Sequence, residues 1–401
     1  MRMVNERATV LVILSWMGAA AGAAEAPGPP DFSPARRVLE EAIRERAFPG
    51  CAAVAGTSKG PLWVECLGRF DYDGGPPVTA KSLYDLASLT KVVGTTSVVL
   101  ALVRDGKLAL EDPVAKHLPE FRGGGRERVR IDHLLTHSSG LPAWRPLYQE
   151  ASGHAGILAL AIATPLEAPP GTRERYSDLG FIILGEVAAR AGGKSLPDLE
   201  RELVFGPLGL TDTMRNPPAS ELARTVPTEV RPAPAGSPAG SATAAARAIR
   251  GTVHDENAAA AGGLTGHAGL FSTAGDVSLF AAEWLRGRRG ESPVFPHRWV
   301  ARFTSPEEGL AGSTRALGWA VVPSDPAPAS PGGPAGRFGP GSFGHTGFTG
   351  TSIWIDPDRD LYLILLSNRV HPTRENARIG AVRRELADAV VACLEGKRRR
   401  I

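Results

Sequence analysis

The sequence predicts an α+β fold, an α/β/α sandwich. One antiparallel sheet is built from both chain ends and flanked by helices, and a mainly helical lobe is inserted between its halves. Three observations lead there. Strand-like runs cluster at residues 50–67 and 342–367, with helices and Pro/Gly loops between them. Each cluster alone is too small for a sheet with its own core, so the two are expected to pair. Residues 92–103 are apolar on nearly every side, and such a helix belongs inside a domain.

The elements follow in order. Arg2 and Arg7 precede an apolar run at 8–20, and Ala21-Gly22-Ala23 offers a cleavage site. Residues 1–23 therefore read as a signal peptide, and the mature chain as exported, periplasmic or secreted, without a stable membrane span. Residues 24–32 are a Pro-rich lead-in. Ser33-Pro34 predicts a helix to about residue 46, with serine as N-cap and proline at the first helical position.

Residues 50–56 and 61–67 form a hairpin about Thr57-Ser58-Lys59-Gly60. A two-residue loop at Ser58-Lys59 would set Cys51 opposite Cys66 and permit a disulfide. Another register leaves Cys51, Cys66 and Cys393 as small apolar residues, the reading we favour. The buried helix starts at Ser88 and ends near Asp105-Gly106. Asp112-Pro113 opens a short helix, and residues 131–136 form another, broken by His137-Ser138-Ser139-Gly140-Leu141-Pro142.

The helical lobe spans roughly 105–270. Within it, residues 231–249 are Ala/Pro/Gly/Ser-rich without apolar periodicity and read as a mobile insertion; residues 323–341 are a second such loop. Residues 345–355 read as one strand, turning at Asp356-Pro357-Asp358 into another at 361–367. A helix over 374–394 closes the domain at 33–394, and 395–401 is a solvated basic tail. The net charge of +3 is too small and scattered to argue for nucleic acid or a charged membrane surface.

Only one Ser-x-x-Lys occurs in the chain, Ser88-Leu89-Thr90-Lys91, at the mouth of the buried helix. A serine hydroxyl needs a base to become a nucleophile. Lys91 lies on the same helical face, and burial would lower its pKa by penalising the charged form. The helix start also aims N–H groups at a developing oxyanion. Tyr176-Ser177-Asp178 precedes an apolar helix, and His345-Thr346-Gly347 opens the late strands, so a Tyr and a small-residue strand stand in order after the serine.

These stretches carry a resemblance. With Leu134-Leu135-Thr136-His137-Ser138-Ser139-Gly140-Leu141-Pro142 and Gly344-His345-Thr346-Gly347-Phe348-Thr349-Gly350-Thr351, the chain resembles the serine beta-lactamase and penicillin-binding-protein superfamily, in its class C and esterase-like branch. Val253-His254-Asp255-Glu256-Asn257-Ala258 and Gly266-His267-Ala268-Gly269 are similar to a subgroup that includes D-alanyl-D-alanine carboxypeptidases.

The resemblance implies a beta-lactamase/transpeptidase-like fold and an acyl-enzyme on Ser88. It implies that Lys91 and Tyr176 share the general-base work, and that the backbone N–H groups of Ser88 and Phe348 form the oxyanion hole. A phenol, ordinarily with a pKa of about 10, serves near neutral pH only if its proton is shared with the lysine. Asp178, His345, Thr346 and Gly347 would contact substrate, with no metal or organic cofactor. The substrate would be a small molecule or a peptidoglycan-derived fragment.

Two positions depart from the pattern. Asp178 stands where asparagine is common, and could instead hold Lys91 charged. His345 stands where lysine is common and is mostly neutral at pH 7. Arg337, Arg369 or Arg374 would have to supply a cation for a substrate carboxylate. A true class C-like beta-lactamase, or a catalytically silent binding protein, are the alternatives.

Several bland readings also follow. Gly56-Thr57-Ser58-Lys59-Gly60 matches a hydrolase elbow pattern but sits in a hairpin turn. His254, Asp255, Glu256 and His267 are expected to hydrogen-bond a loop near the site rim rather than hold metal. His133 and His137 are expected to cap or pack.

Overall fold

The computed structural model describes residues 30–232, 246–323 and 337–398. The expected signal peptide, most of the lead-in, the core of the 231–249 insertion, most of the second loop and the last three residues lie outside them.

The sheet has seven strands: β1 (Gly50–Thr57), β2 (Gly60–Asp71), β3 (Gly74–Pro77), β4 (Ala320–Val321), β5 (Phe343–Thr346), β6 (Ser352–Asp356) and β7 (Leu361–Ser367). Their spatial order is β3-β2-β1-β7-β6-β5-β4, with every pair antiparallel. The two chain ends meet at its centre, where Cys51 faces Ser367 and Gly56 faces Tyr362. The period of two sorts the side chains cleanly. Cys51, Ala53, Ala55, Leu361, Leu363 and Leu365 enter one core. Ala52, Val54, Tyr362, Ile364 and Leu366 enter the other.

Helices cover both faces. α1 (Ser33–Arg44) and α5 (Ile379–Arg398) lie on the first. On the second, α4 (Ala274–Arg289) packs against the strands, and α2 (Ser97–Arg104) and α3 (Asp178–Gly192) share its core. The small alanines of β1 let helices approach closely on both sides. Trp284 of α4 meets Trp319 at 4.8 Å, and Trp319 meets Phe343 of β5 at 5.1 Å, filling the core with edge-on aromatics. Between β3 and β4 the described elements are helices and strands of two or three residues, among them a small sheet of Tyr84–Asp85, Leu270–Ser272 and Met214–Arg215.

The local differences from expectation have physical causes. The hairpin loop is Ser58-Lys59, but a bulge at Ala55/Gly56 shifts the register, so Cys66 faces Ala52 and Cys51 faces Leu67. Cys51 and Cys66 therefore point into different cores, and all three cysteines are free thiols. The cap of α1 is displaced: Ser33 is already helical, and Asp31 Oδ1 accepts its N–H at 2.9 Å.

The strand expected over 345–355 is two strands. Gly350, at φ +113°, makes the turn, with Gly347 N–H donating to Thr351 O at 2.7 Å. The closing helix begins at Ile379 rather than 374 because the Arg374 and Asn376 carbonyls are taken by Arg369 Nη1 at 2.9 and 2.8 Å. The helix from Ser88 is composite: a 3-10 turn (Ala87–Leu89), a π turn (Lys91–Thr96), then α2. Ser97 Oγ donates to Val92 O at 2.7 Å across the widened turn.

Candidate active site

Ser88 is presented by a strained backbone. Ala87, just before it, has φ +47°, unfavourable for a residue with a side chain. Buried Asp85 holds that shape, accepting the Ala87 N–H at 2.9 Å and the His254 N–H at 2.6 Å. Burial raises the Asp85 carboxyl to about 6, against the lowering effect of those two N–H groups.

Lys91 is fully buried, and its Nζ donates to Ser88 Oγ at 3.1 Å, Asp178 Oδ1 at 2.7 Å and His267 O at 3.1 Å. An ammonium has three donors, and all three are used. Burial works to lower its pKa, but the charge of Asp178, followed by Tyr176, outweighs it and the net direction is upward. That corrects the expectation that burial wins.

Asp178 begins α3, whose start is capped by Ser177 Oγ accepting from Gly180 N–H at 3.1 Å. The Asp178 N–H donates to Ala143 O at 2.9 Å, which fixes the carboxylate toward Lys91. Tyr176 stands beside it, among cations and imidazoles. Lys91 Nζ lies 4.9 Å and Arg315 Cζ 5.3 Å from its ring, and the His137 and His345 rings lie at 4.4 and 6.0 Å.

Both histidines are neutral. His137 Nδ1 accepts the Ser177 N–H at 3.0 Å, so its proton sits on Nε2. His345 Nδ1 bonds Thr346 O at 2.8 Å, so there the proton sits on Nδ1. Burial first, then the Lys91 and Arg315 charges, hold both pKa values well below the usual imidazole range. His345 thus offers no fixed charge. His133 Nδ1 caps its own short helix by accepting the Arg130 N–H at 3.2 Å.

The turn between β5 and β6 sits directly on residues 85–87. Thr349 Oγ1 donates to Asp85 O at 2.8 Å and Thr351 Oγ1 to Leu86 O at 2.9 Å. A Cβ on Gly347 would come within 2.0 Å of Thr351 Oγ1 and 2.5 Å of Leu86 O, so this position requires glycine. Thr346 ends β5 opposite Ser352. Among the described residues, the N–H groups of Ser88 and Phe348 donate to no protein acceptor. The structure thus brings Ser88, Lys91, Tyr176, Asp178, His345 and the Gly347–Phe348 peptide to one place.

The other candidates are placed as follows. His254 stacks on the Phe348 ring at 5.7 Å, and His267 Nε2 meets Asp255 Oδ1 at 2.8 Å, so this group braces the rim. Ser58 is far off in chain and fold, its hydroxyl donating to Asp360 Oδ2 at 3.1 Å in the hairpin turn. Arg337 pairs with Glu395, and Arg374 with Glu229 and Glu256, so their charges are spoken for. Arg369 Nε donates to Phe348 O at 2.7 Å, behind the turn. Sequence reasoning missed Arg315, Asp85 and the His267 carbonyl; only Asp85, a charge just ahead of an apolar helix, carried a local signal.

Residues 35–388 match a family model described as Beta-lactamase. A protein of Escherichia coli (strain K12) named "Putative D-alanyl-D-alanine carboxypeptidase" is 33% identical over 329 residues, covering 75% of this chain and 73% of that protein. Among solved structures, EstCE1, a hydrolase with promiscuous acyltransferase activity, aligns with a TM-score of 0.71 at 21% identity, covering 89% of this chain and 97% of that one. The octameric penicillin-binding protein homologue from Pyrococcus abyssi aligns at 0.68 and 20% identity, covering 91% and 78%.

Proposed function

The chain belongs to the Beta-lactamase family of hydrolases, and from that premise we propose that it is an exported serine hydrolase working through an acyl-enzyme on Ser88. The observation that carries this reading is the contact of Ser88 Oγ with Lys91 Nζ at 3.1 Å, itself held by Asp178 at 2.7 Å. Ser88 Oγ attacks the substrate carbonyl carbon, and its proton passes to the Tyr176 oxygen. Because Lys91 keeps all three donors engaged, Tyr176 is the base and Lys91 the charge that supports it. To accept that proton, Tyr176 enters the step as a phenolate, its own proton already given up to water; that negative charge lies beside two cations, Lys91 and Arg315, and is neutralised as the Ser88 proton arrives. The carbonyl oxygen, becoming an oxyanion, meets the Ser88 and Phe348 N–H groups. Tyr176 returns its proton to the leaving group, and water releases the acyl group by the same route.

The substrate in this reading is an ester or a D-alanyl, cell-wall-derived amide. A neutral His345 supplies no ammonium for a carboxylate, which favours uncharged esters over substrates that carry one, beta-lactams and C-terminal D-alanine alike. Export is supported by the leader-like pattern of residues 1–23.

The test is a Ser88→Ala variant assayed on p-nitrophenyl esters, D-Ala-D-Ala peptides and nitrocefin. Loss of ester or peptide hydrolysis, with a fluorophosphonate adduct on Ser88 of the wild type, is the expected result. Retained hydrolysis, or an adduct on Ser58, would remove Ser88 from its role. Rapid nitrocefin turnover would move the substrate to beta-lactams.

A further inference from the structure

Behind the Gly347–Phe348 peptide stands a positive charge that, among the described residues, has no negative partner. Arg383, in the first turns of α5, donates from Nη2 to Gly347 O at 3.0 Å and to Thr351 O at 2.7 Å. Its Nε is sealed from solvent and has no acceptor. Among the described residues it forms no ion pair. Burial, and then the like charge of Arg369, pull its pKa down to about 9, which leaves it protonated at neutral pH. An unpaired cation in such a place is costly, and two backbone carbonyls offset that only in part.

Its position suggests what the charge does. The Gly347 carbonyl and the Phe348 N–H belong to one planar, conjugated amide. A cation on the oxygen draws electron density through the C–N bond and leaves the N–H more positive. We propose that Arg383 is a positioning residue for the oxyanion hole: it fixes the turn through Gly347 O and polarises the very amide whose N–H meets the developing charge. The inference rests on the assignment of Ser88 and Phe348 made above. Arg369 differs, because it bonds Phe348 O, which belongs to the next amide along.

The experiment acylates the wild type, Arg383→Gln and Arg383→Lys with a p-nitrophenyl ester carrying a 13C carbonyl. It records kcat, KM and the acyl-carbonyl stretch by rapid-scan infrared difference spectroscopy. Loss of a whole oxyanion donor costs about 100-fold or more, so weakening one in Arg383→Gln should cost kcat about tenfold. KM should stay within about twofold, since the interaction matures only in the transition state. The carbonyl band should move to higher wavenumber. Arg383→Lys keeps the charge but not the forked donor, and should recover part of both effects.

A folded variant with an unmoved band and wild-type kcat would overturn the proposal, as would a loss confined to melting temperature. If Arg383→Gln fails to fold, the Lys variant decides, and a band identical to wild type sinks the idea. An acyl band absent from the wild type, or mapped to another residue, would be a separate failure, of the Ser88 assignment itself, and would take this inference with it.

Discussion

At the scale of single residues, the site turns on charges held where water does not reach. Lys91 is fully buried and, among the described residues, Asp178 is the one carboxylate that forms an ion pair with it. Replacing Asp178 by Asn leaves the ammonium without a counter-charge, at a cost of about 3 kcal/mol. The denaturant midpoint should fall accordingly, and an unchanged midpoint would mean that Lys91 does not depend on Asp178. Asp85 makes a prediction in pH. Its folded pKa, raised to about 6, exceeds the unfolded value of about 3.9. The resulting stabilisation is therefore complete below the unfolded value and is lost as pH rises through 6. Two units correspond to about 3 kcal/mol. Melting temperature should fall between pH 4 and 6.5 relative to the trend of Asp85→Asn; parallel curves would contradict it. Ser88, Lys91 and Tyr176 were legible because their motifs are local in sequence. Arg315 and Arg383 were not, because nothing near either in the chain marks it out; only the fold carries Arg315 to the Tyr176 ring and Arg383 to the Gly347 carbonyl.

At the scale of elements, two glycines hold parts of the machinery together by lacking a Cβ. Gly347→Ala would drive a methyl into Thr351 Oγ1 and the Leu86 carbonyl and lift the turn from residues 85–87. We expect a folded protein with kcat down about 100-fold, the loss of one oxyanion donor. Near-wild-type turnover would place the second donor elsewhere. Gly94, in the π turn, lets the buried Glu200–Arg215 pair close: a Cβ there would stand 2.3 Å from Glu200 Oε1. Arg215 in turn holds the carbonyls of Gly263 and Ala268, and Lys91 bonds the His267 carbonyl between them. Apolar periodicity revealed the buried helix but not its π turn, since widening by one residue leaves an all-apolar pattern unchanged. The division of β5 from β6 escaped notice for a related reason. Apart from Phe348, Gly347 to Thr351 is a run of small and β-branched residues that suits a strand or a turn, and only contact with residues 85–87 decides.

At the scale of the whole molecule, the sheet is closed by partners more than 300 residues apart, Cys51 and Ser367. Removing α5 would strip the cover from Leu363, Leu365 and Ala53. A chain ending near residue 372 should be insoluble, and a soluble, cooperatively melting product would refute the claim that α5 completes that core. The pairing of distant ends was foreseeable because neither strand cluster could bury a core alone. The fate of the cysteines was not: one bulged residue, Leu62, decides whether Cys51 and Cys66 face each other, and a hairpin loop of the right length does not fix it.

The central joint also has a mechanical meaning. Cys51 lies near the start of β1 and Ser367 at the end of β7, so the chain enters and leaves this antiparallel pair on the same side. A force applied to the two ends, once α1 and α5 have been peeled away, acts across the strands and parallel to their hydrogen bonds. The bonds then break one after another rather than together. In an optical trap the sheet should open like a zip, at low force and in small steps. A motor that grips the chain by its tail would therefore meet little resistance from this joint.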